Sequence, residues 1–76
     1  MSAAIAVIGL GFVGLTTALG LAEKGRLVAG FDADPERQAT LGRRQIPFHE
    51  PGLDTALERH LGHGLRLATS LEQALG

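Results

Sequence analysis

Three glycines and one aspartate provide the clearest chemical signal in the sequence. Gly9, Gly11 and Gly14 follow the G-x-G-x-x-G spacing in the segment GLGFVG. A turn of this kind between a strand and a helix exposes backbone N–H groups and the positive end of the helix dipole, which together suit a bound phosphate. The first glycine permits the tight turn, the second lets a pyrophosphate approach the backbone, and the third lets the helix pack closely on the strand.

Asp32 completes the pattern at the end of the next apolar segment. A carboxylate in this position accepts hydrogen bonds from the ribose hydroxyls of adenosine and repels a 2′-phosphate, which favours NAD over NADP. Arg37 falls one helical turn into the following helix, within reach of the ribose or the adenine. There is an alternative for each part of this interpretation. The glycines would form an ordinary strand–helix turn in which Asp32 is only a cap, and Arg37 would be a solvated surface residue.

The elements that position these residues alternate between strands and helices. Apolar segments at residues 3–8, 26–31 and 65–69 indicate three strands, and the first two are expected to be buried on both faces. Helices at residues 13–24, 35–41, 51–61 and 71–75 connect and follow them. The alternation predicts an α/β fold with a Rossmann-like three-stranded parallel sheet in the order 3-2-1 and flanking helices, an incomplete doubly wound domain.

Local signals indicate where the helices begin. Asp34 is a good N-cap followed by a proline, and Pro51 is predicted to be the first residue of the third helix, with Glu50 at its positive end. Either Ser70 with Gln73, or Thr69 with Glu72, forms a capping box for the last helix. The segment IPFHEPGL at residues 46–53 is therefore expected to be a stiff turn that starts the third helix.

Composition excludes several classes of function. The 76 residues have a formal net charge of −1 and no cysteine, so we expect no nucleic-acid partner, no disulfide and no thiolate metal site. The uncharged run at residues 3–22 is interrupted by glycines and is not expected to span a membrane. His49, His60 and His63 lack an acid or cysteine that would complete a metal site, and we expect surface histidines.

Several segments together resemble the N-terminal NAD-binding domain of the UDP-glucose/GDP-mannose dehydrogenase family. They are IAVIGLGFVGL, LAEKG, GFDADPERQATL, IPFHEPGL and LATSLEQAL. The P-x-x-E-P-G-L signature at residues 47–53 distinguishes this family from other nicotinamide dehydrogenases, although the family often has tyrosine where this chain has His49. The resemblance implies NAD as the cofactor, cradled by Gly9, Gly11, Phe12, Val13 and Gly14, with Asp32 and Arg37 at the adenosine ribose. It also implies a parent enzyme that oxidises the C6 alcohol of a nucleotide sugar to a carboxylate in two NAD-dependent steps.

The resemblance also implies which parts of the parent enzyme this chain is expected to lack. We expect residues 1–76 to be the N-terminal part of a NAD-binding Rossmann domain, without the fourth strand onward and without catalytic residues. Such a chain would bind the adenosine and pyrophosphate half of NAD in the cytoplasm, and would not be catalytic alone. The exposed edge of the strand at residues 3–8 predicts a homo-oligomer. The alternatives are part of another NAD-dependent dehydrogenase, of the hydroxyacid or 6-phosphogluconate type, and a non-catalytic nucleotide-binding or purely structural module.

Overall fold

The computed structural model of the chain describes residues 5–48 and 50–76. The start of the predicted first strand, at residues 3 and 4, and His49 lie outside the described residues. The described elements, in chain order, are β1 (Ile5–Ile8), α1 (Phe12–Glu23), β2 (Val28–Phe31), α2 (Pro35–Gly42), α3 (Leu53–His60), β3 (Leu65–Leu67) and α4 (Leu71–Leu75). Strands therefore alternate with helices, as predicted.

The three strands form one parallel sheet with β2 in the centre. Ile5 of β1 lies opposite Val28 of β2, and Val28 lies opposite Leu65 of β3. The order β1-β2-β3 confirms the predicted 3-2-1 arrangement. Because the strands are parallel, their carboxyl ends meet at one edge of the sheet, where the glycine-rich turn and Asp32 follow β1 and β2.

Helices pack on the sheet, and the hydrophobic core lies between them and the strands. α1 packs on all three strands and on α3, while α4 packs on β1 and β2. Successive strand residues point to opposite faces, so Val28 joins the core under α1 and α3, whereas buried Ala29 lies on the other face with α4. The fully buried leucines, with no exposed side-chain surface, are Leu10, Leu15, Leu41, Leu57 and Leu65.

β1 is less buried than its sequence predicts. Ile5, Ala6 and Val7 are half-buried and Ile8 is 49% exposed, so the expectation of burial on both faces is wrong for this strand. The physical reason is its position at the edge of the sheet, since β2 is its one strand neighbour among residues 5–48 and 50–76. The central strand β2 meets the expectation, with Val28, Ala29 and Gly30 buried.

The C-terminus of α1 and the N-termini of α2 and α4 match the predictions, whereas α2 ends one residue later than predicted, because Gly42 is still helical and Arg43 is the C-cap. Gly25 follows α1 as its C′ residue, and the N–H groups of Gly25 and Arg26 donate to the carbonyls of Ala22 and Leu21. Asp34 caps α2 by accepting the N–H of Glu36 at 2.9 Å. At α4 the Ser70 hydroxyl accepts the N–H of Gln73, so Ser70 is the N-cap, but the Gln73 Oε1 accepts the N–H of Thr69 at 2.7 Å rather than that of Ser70, so the predicted box is only half formed.

The start of α3 differs from the prediction. Gly52, with φ 87°, is the N-cap and Leu53 is the first helical residue, so Pro51 lies outside the helix. The Glu50 carbonyl accepts the N–H of Leu53 at 3.2 Å, which makes residues 50–53 a turn rather than the first turn of the helix. Glu50 therefore contributes its backbone carbonyl to the start of α3, two residues before the cap. None of the helices in the described residues combines the length and apolarity needed to cross a bilayer.

Candidate cofactor-binding site

The glycine-rich turn connects β1 to α1 and depends on two of its glycines. Gly9 has φ 92°, a left-handed conformation that favours glycine, and its N–H donates to the Phe31 carbonyl at 2.7 Å. A Cβ on Gly14 would lie 1.8 Å from the Gly9 carbonyl oxygen. The first turn of α1 thus packs directly on the backbone of the preceding turn, as the spacing predicts.

The N-terminus of α1 carries a set of backbone donors without acceptors in the described residues. Gly11 is the N-cap, no side chain caps the helix, and its first turn carries no acidic residue. In the described part of the chain, the N–H groups of Phe12, Val13 and Gly14 have no hydrogen-bond acceptor. Since these N–H groups lie at the positive end of the helix dipole, the arrangement suits an anion such as a phosphate.

Gly11 leaves the space in front of these donors open. A Cβ on Gly11 would meet one neighbour, the Arg37 Nη1 at 3.7 Å. Val13 is 75% exposed and Phe12 is 45% exposed, so the surface around the turn is accessible. A side chain larger than glycine at position 11 would extend into the space between the turn and Arg37.

Asp32 is tied to the glycine-rich turn. Its Oδ2 accepts the N–H of Leu10 at 2.7 Å, and its Oδ1 accepts the N–H of Asp34 at 2.9 Å. The hydrogen bond from Asp34 holds the pKa of Asp32 below its ordinary value of 3.8, with further lowering by the Leu10 N–H and the Arg37 charge against the opposing effect of burial. Asp32 is therefore a fixed carboxylate, ionised at neutral pH.

Arg37 of α2 reaches the same turn. Its Nη1 donates to the Leu10 carbonyl at 2.9 Å, and its guanidinium carbon lies 5.1 Å from the centre of the Phe48 ring. Phe48 in turn makes an edge-to-face contact with Phe12, with ring centres 5.8 Å apart. All seven predicted site residues, Gly9, Gly11, Phe12, Val13, Gly14, Asp32 and Arg37, thus gather at the carboxyl edge of the sheet.

Three residues that support the site are missing from the predicted set. Leu10 binds Asp32 through its N–H and Arg37 through its carbonyl, while its side chain is fully buried. Gln38 accepts the N–H of Asp32 at 2.9 Å and donates to the Ala68 carbonyl at 2.8 Å, which joins the ends of β2 and β3. The third residue is Phe48. Leu10 lies in the segment GLGFVG, Phe48 in IPFHEPGL and Gln38 next to Arg37, but their contacts carry no sequence signal.

A cleft of about 480 Å³ opens beside Asp32 at the ends of β2 and β3. It is lined by Phe31, Asp32, Ala33, Pro35, Gln38, Ala39 and Thr69. Its walls combine apolar groups with the Asp32 carboxylate and the Gln38 amide. A flat, mainly apolar ring with polar edges, such as a purine, matches this lining.

The histidines and acids do not form a metal centre in the described residues. No group of three His, Cys, Asp or Glu side chains there is arranged to hold an ion. His63 is exposed, but His60 is not a surface histidine, because its ring is 14% exposed and Nε2 lies 2.7 Å from Glu23 Oε1. Arg59 binds the other oxygen of the same carboxylate, so these residues link α3 to α1.

Comparison with known protein families identifies the family to which the chain belongs. The model described as the UDP-glucose/GDP-mannose dehydrogenase family, NAD binding domain, matches residues 3–76. The chain belongs to this family. Because the matching part is the family's NAD-binding domain, NAD is its cofactor, and the alternative of a hydroxyacid or 6-phosphogluconate dehydrogenase is set aside.

Curated relatives and solved structures agree with the family assignment. The chain is 41% identical to a UDP-glucose 6-dehydrogenase of Haloferax volcanii over 93% of its length, and 42% identical to one of Pseudomonas aeruginosa over 93%. A UDP-glucose dehydrogenase structure from Pyrobaculum islandicum superposes with a TM-score of 0.88 at 39% identity, covering 99% of this chain and 18% of that one. The chain spans 16% of the length of each of the two curated relatives.

Proposed function

We propose that the chain binds the adenosine and pyrophosphate half of NAD at the turn between β1 and α1. The hydrogen bond between the Asp32 carboxylate and the Leu10 N–H, at 2.7 Å, carries this proposal. It joins the proposed ribose acceptor to the turn that leads into the proposed pyrophosphate donors. Two determinants that are 22 residues apart in sequence thus form one continuous site.

The donors and acceptors of the site match this half of the cofactor. The N–H groups of Phe12, Val13 and Gly14 would bind pyrophosphate oxygens, which is supported by their lack of acceptors in the described residues. A carboxylate accepts about four hydrogen bonds, and Asp32 has two from the backbone, so two positions remain for ribose hydroxyls. The cleft lined by Ala33, Pro35 and Ala39 would hold the adenine.

Selectivity for NAD over NADP follows from the charge of Asp32. The 2′-phosphate of NADP would lie against an ionised carboxylate whose pKa is lowered by the hydrogen bond from Asp34 and further by the Leu10 N–H and Arg37. Arg37 would offset part of this repulsion through the guanidinium N–H groups that are not bound to the Leu10 carbonyl. Like charges at close range in a partly buried site disfavour NADP.

For the whole protein we propose oxidation of the C6 alcohol of a nucleotide sugar to a carboxylate. NAD supplies the hydride acceptor for this chemistry, and the residues of this chain would bind and orient its adenosine half. None of the 76 residues is assigned a catalytic role, so this chain alone is proposed to bind cofactor without turnover. We propose a cytoplasmic location, with which the absence of cysteine is compatible.

Calorimetric titration of the chain with NAD, ADP-ribose, AMP and NADP tests the proposal. ADP-ribose is expected to bind about as tightly as NAD, AMP more weakly because it lacks the pyrophosphate, and NADP more weakly than NAD. Asp32→Ala should weaken NAD binding and narrow the difference between NAD and NADP. If ADP-ribose does not bind at millimolar concentration, the chain is a structural module, and if NADP binds better than NAD, the role of Asp32 is wrong.

We also propose that the chain forms a homo-oligomer through the free edge of β1. The N–H groups of Ile5 and Gly9 donate to the carbonyls of Leu27, just before β2, and Phe31, so alternation along the strand directs the N–H groups of Ala6 and Ile8 to the edge that has no partner strand in the described residues. An apolar strand with free donors and acceptors invites pairing with a second copy. Light scattering at micromolar concentration should find a dimer or larger species, and Ala6→Pro, which removes one outward N–H, should yield monomer. A monodisperse wild-type monomer would exclude this interface.

A further inference from the structure

Arg37 is held from two sides before any ligand is bound. Its Nη1 donates to the Leu10 carbonyl at 2.9 Å, and its guanidinium lies over the Phe48 ring at 5.1 Å. The first contact comes from the glycine-rich turn and the second from the segment at residues 45–48, before α3. Arginine has a long side chain with many rotamers, so two such restraints remove much of its freedom in the unbound chain.

Phe48 is itself fixed in place. It is half-buried, packs against the hydrophobic core, and makes an edge-to-face contact with Phe12 at 5.8 Å and 82°. Phe12 is the first residue of α1, and its N–H group is one of the three donors at the helix N-terminus. The Phe48 ring therefore touches both the cation and the helix end that border the same open space above Gly11.

This arrangement has a consequence for ligand affinity. Binding loses free energy when a mobile side chain has to be ordered around the ligand, and a side chain ordered beforehand avoids that loss. Arg37 retains guanidinium N–H donors beyond the one bound to Leu10, because the group has five. Stacking on an aromatic face leaves the edge of a planar guanidinium free to donate those hydrogen bonds.

We propose that Phe48 is a positioning residue for Arg37, so that the segment before α3 contributes to the affinity for the dinucleotide without touching it. The inference rests on the proposed binding of ADP-ribose at the glycine-rich turn. It assigns a role in the cofactor site to a residue outside the G-x-G-x-x-G turn and the acidic end of β2. It also predicts that the effect of Phe48 passes through Arg37 and is lost with it.

A double-mutant cycle on ADP-ribose binding tests this role. The proteins are wild type, Phe48→Leu, Arg37→Ala and the double variant, measured by calorimetry, with Phe48→Tyr as the conservative control. Phe48→Leu is expected to weaken binding about three- to tenfold, because it keeps an apolar side chain but removes the aromatic face. Phe48→Tyr should remain within about twofold of wild type, and Phe48→Leu should cause no further loss when Arg37 is already alanine.

The outcomes separate this inference from the proposal on which it rests. If wild type does not bind ADP-ribose, the proposed function is wrong and the positioning role is wrong with it. If wild type binds and Phe48→Leu binds equally well, or if the two losses add, Phe48 does not act through Arg37. Circular dichroism and the thermal midpoint report folding for each variant, and Phe48→Met replaces Phe48→Leu in the same cycle if the leucine variant does not fold.

Discussion

Substitution of glycine by alanine is expected to have opposite effects on stability at two positions of α1. A Cβ on Gly14 would lie 1.8 Å from the Gly9 carbonyl oxygen, whereas a Cβ on Gly20 would have nothing within 4 Å. Gly20 is also exposed. Since both residues lie in one helix, Gly14→Ala and Gly20→Ala change helix propensity in the same direction and differ in the space available.

The expected magnitudes follow from these distances. Alanine stabilises a helix interior by about 0.5–1 kcal/mol over glycine, so Gly20→Ala should raise the unfolding free energy by that amount. At Gly14 the contact is at least about 1.2 Å shorter than the 3.0 Å below which real Cβ atoms are essentially never found. A backbone oxygen cannot move aside as a flexible side chain can, so α1 or the turn must shift. Overpacking of this kind costs about 1–3 kcal/mol or more, and we expect a net loss of about 2 kcal/mol.

Thermal unfolding followed by circular dichroism provides the assay. For a domain of this size 1 kcal/mol corresponds to about 4–8 °C, so Gly14→Ala should lower the midpoint by about 8–16 °C and Gly20→Ala should raise it by a few degrees. ADP-ribose titration should show weaker binding for Gly14→Ala alone, because its shift moves the donor N–H groups. Equal midpoints for the two variants would refute the close packing of α1 on the turn.

Other predictions concern stability. The hydrogen bond from His60, with help from Arg59, holds the pKa of Glu23 below its ordinary value of 4.5, so its contribution to stability is present above that pH and is lost as the pH falls through the lowered pKa. Thermal midpoints measured between neutral pH and pH 3 should therefore fall less steeply for Glu23→Gln than for wild type; equal slopes would contradict the link between α1 and α3. Gly52 has φ 87°, so Gly52→Ala should lower the free energy of unfolding by about 1–2 kcal/mol. At Gly42 a Cβ meets nothing within 4 Å, so Gly42→Ala should raise it by up to about 1 kcal/mol; urea unfolding measures both changes.

Residue spacing predicted the geometry that brings the central residues of the candidate site together. Glycines at fixed intervals and an acid at the end of the next apolar segment require a strand, a turn and a helix in a set order. Parallel strands then bring Gly9 and Asp32 to the same edge of the sheet, whatever the lengths of the connections. The sheet order and the packing of Gly14 on the turn follow from the same constraints, and both are confirmed.

The start of α3 and the end of α2 could not be predicted in this way. Proline before glycine fits a first helical turn and a preceding loop equally well, and here Gly52 adopts the left-handed conformation that makes it the cap. At α2 the left-handed residue after the helix is Arg44, with φ 60°, while Gly42 remains helical. The Arg44 guanidinium donates to the Leu61 carbonyl at 3.3 Å, a tertiary contact that local propensity does not contain.

The sequence pattern also could not predict contacts between side chains that are far apart in sequence. Arg37 with Phe48, and Glu23 with His60, pair residues on different elements whose relative rotation depends on the packed core. Periodicity predicts which face of a helix is apolar but not which polar residue on one helix meets which residue on another. The half-buried state of β1 has a similar origin, because it depends on what lies beside the strand rather than on its own residues.

Leu10 shows why the site is rigid although its glycines are intrinsically flexible. Its side chain is fully buried and lies against Gly30, where an added Cβ would meet both Leu10 δ-carbons at 3.3 Å. Its N–H and carbonyl bind the two charged groups of the site, Asp32 and Arg37. The buried Leu10 side chain therefore fixes the backbone groups that hold both charged side chains in position. A turn held in this way presents the donors of α1 in a fixed orientation, as the proposed simultaneous binding of a pyrophosphate and a ribose would require.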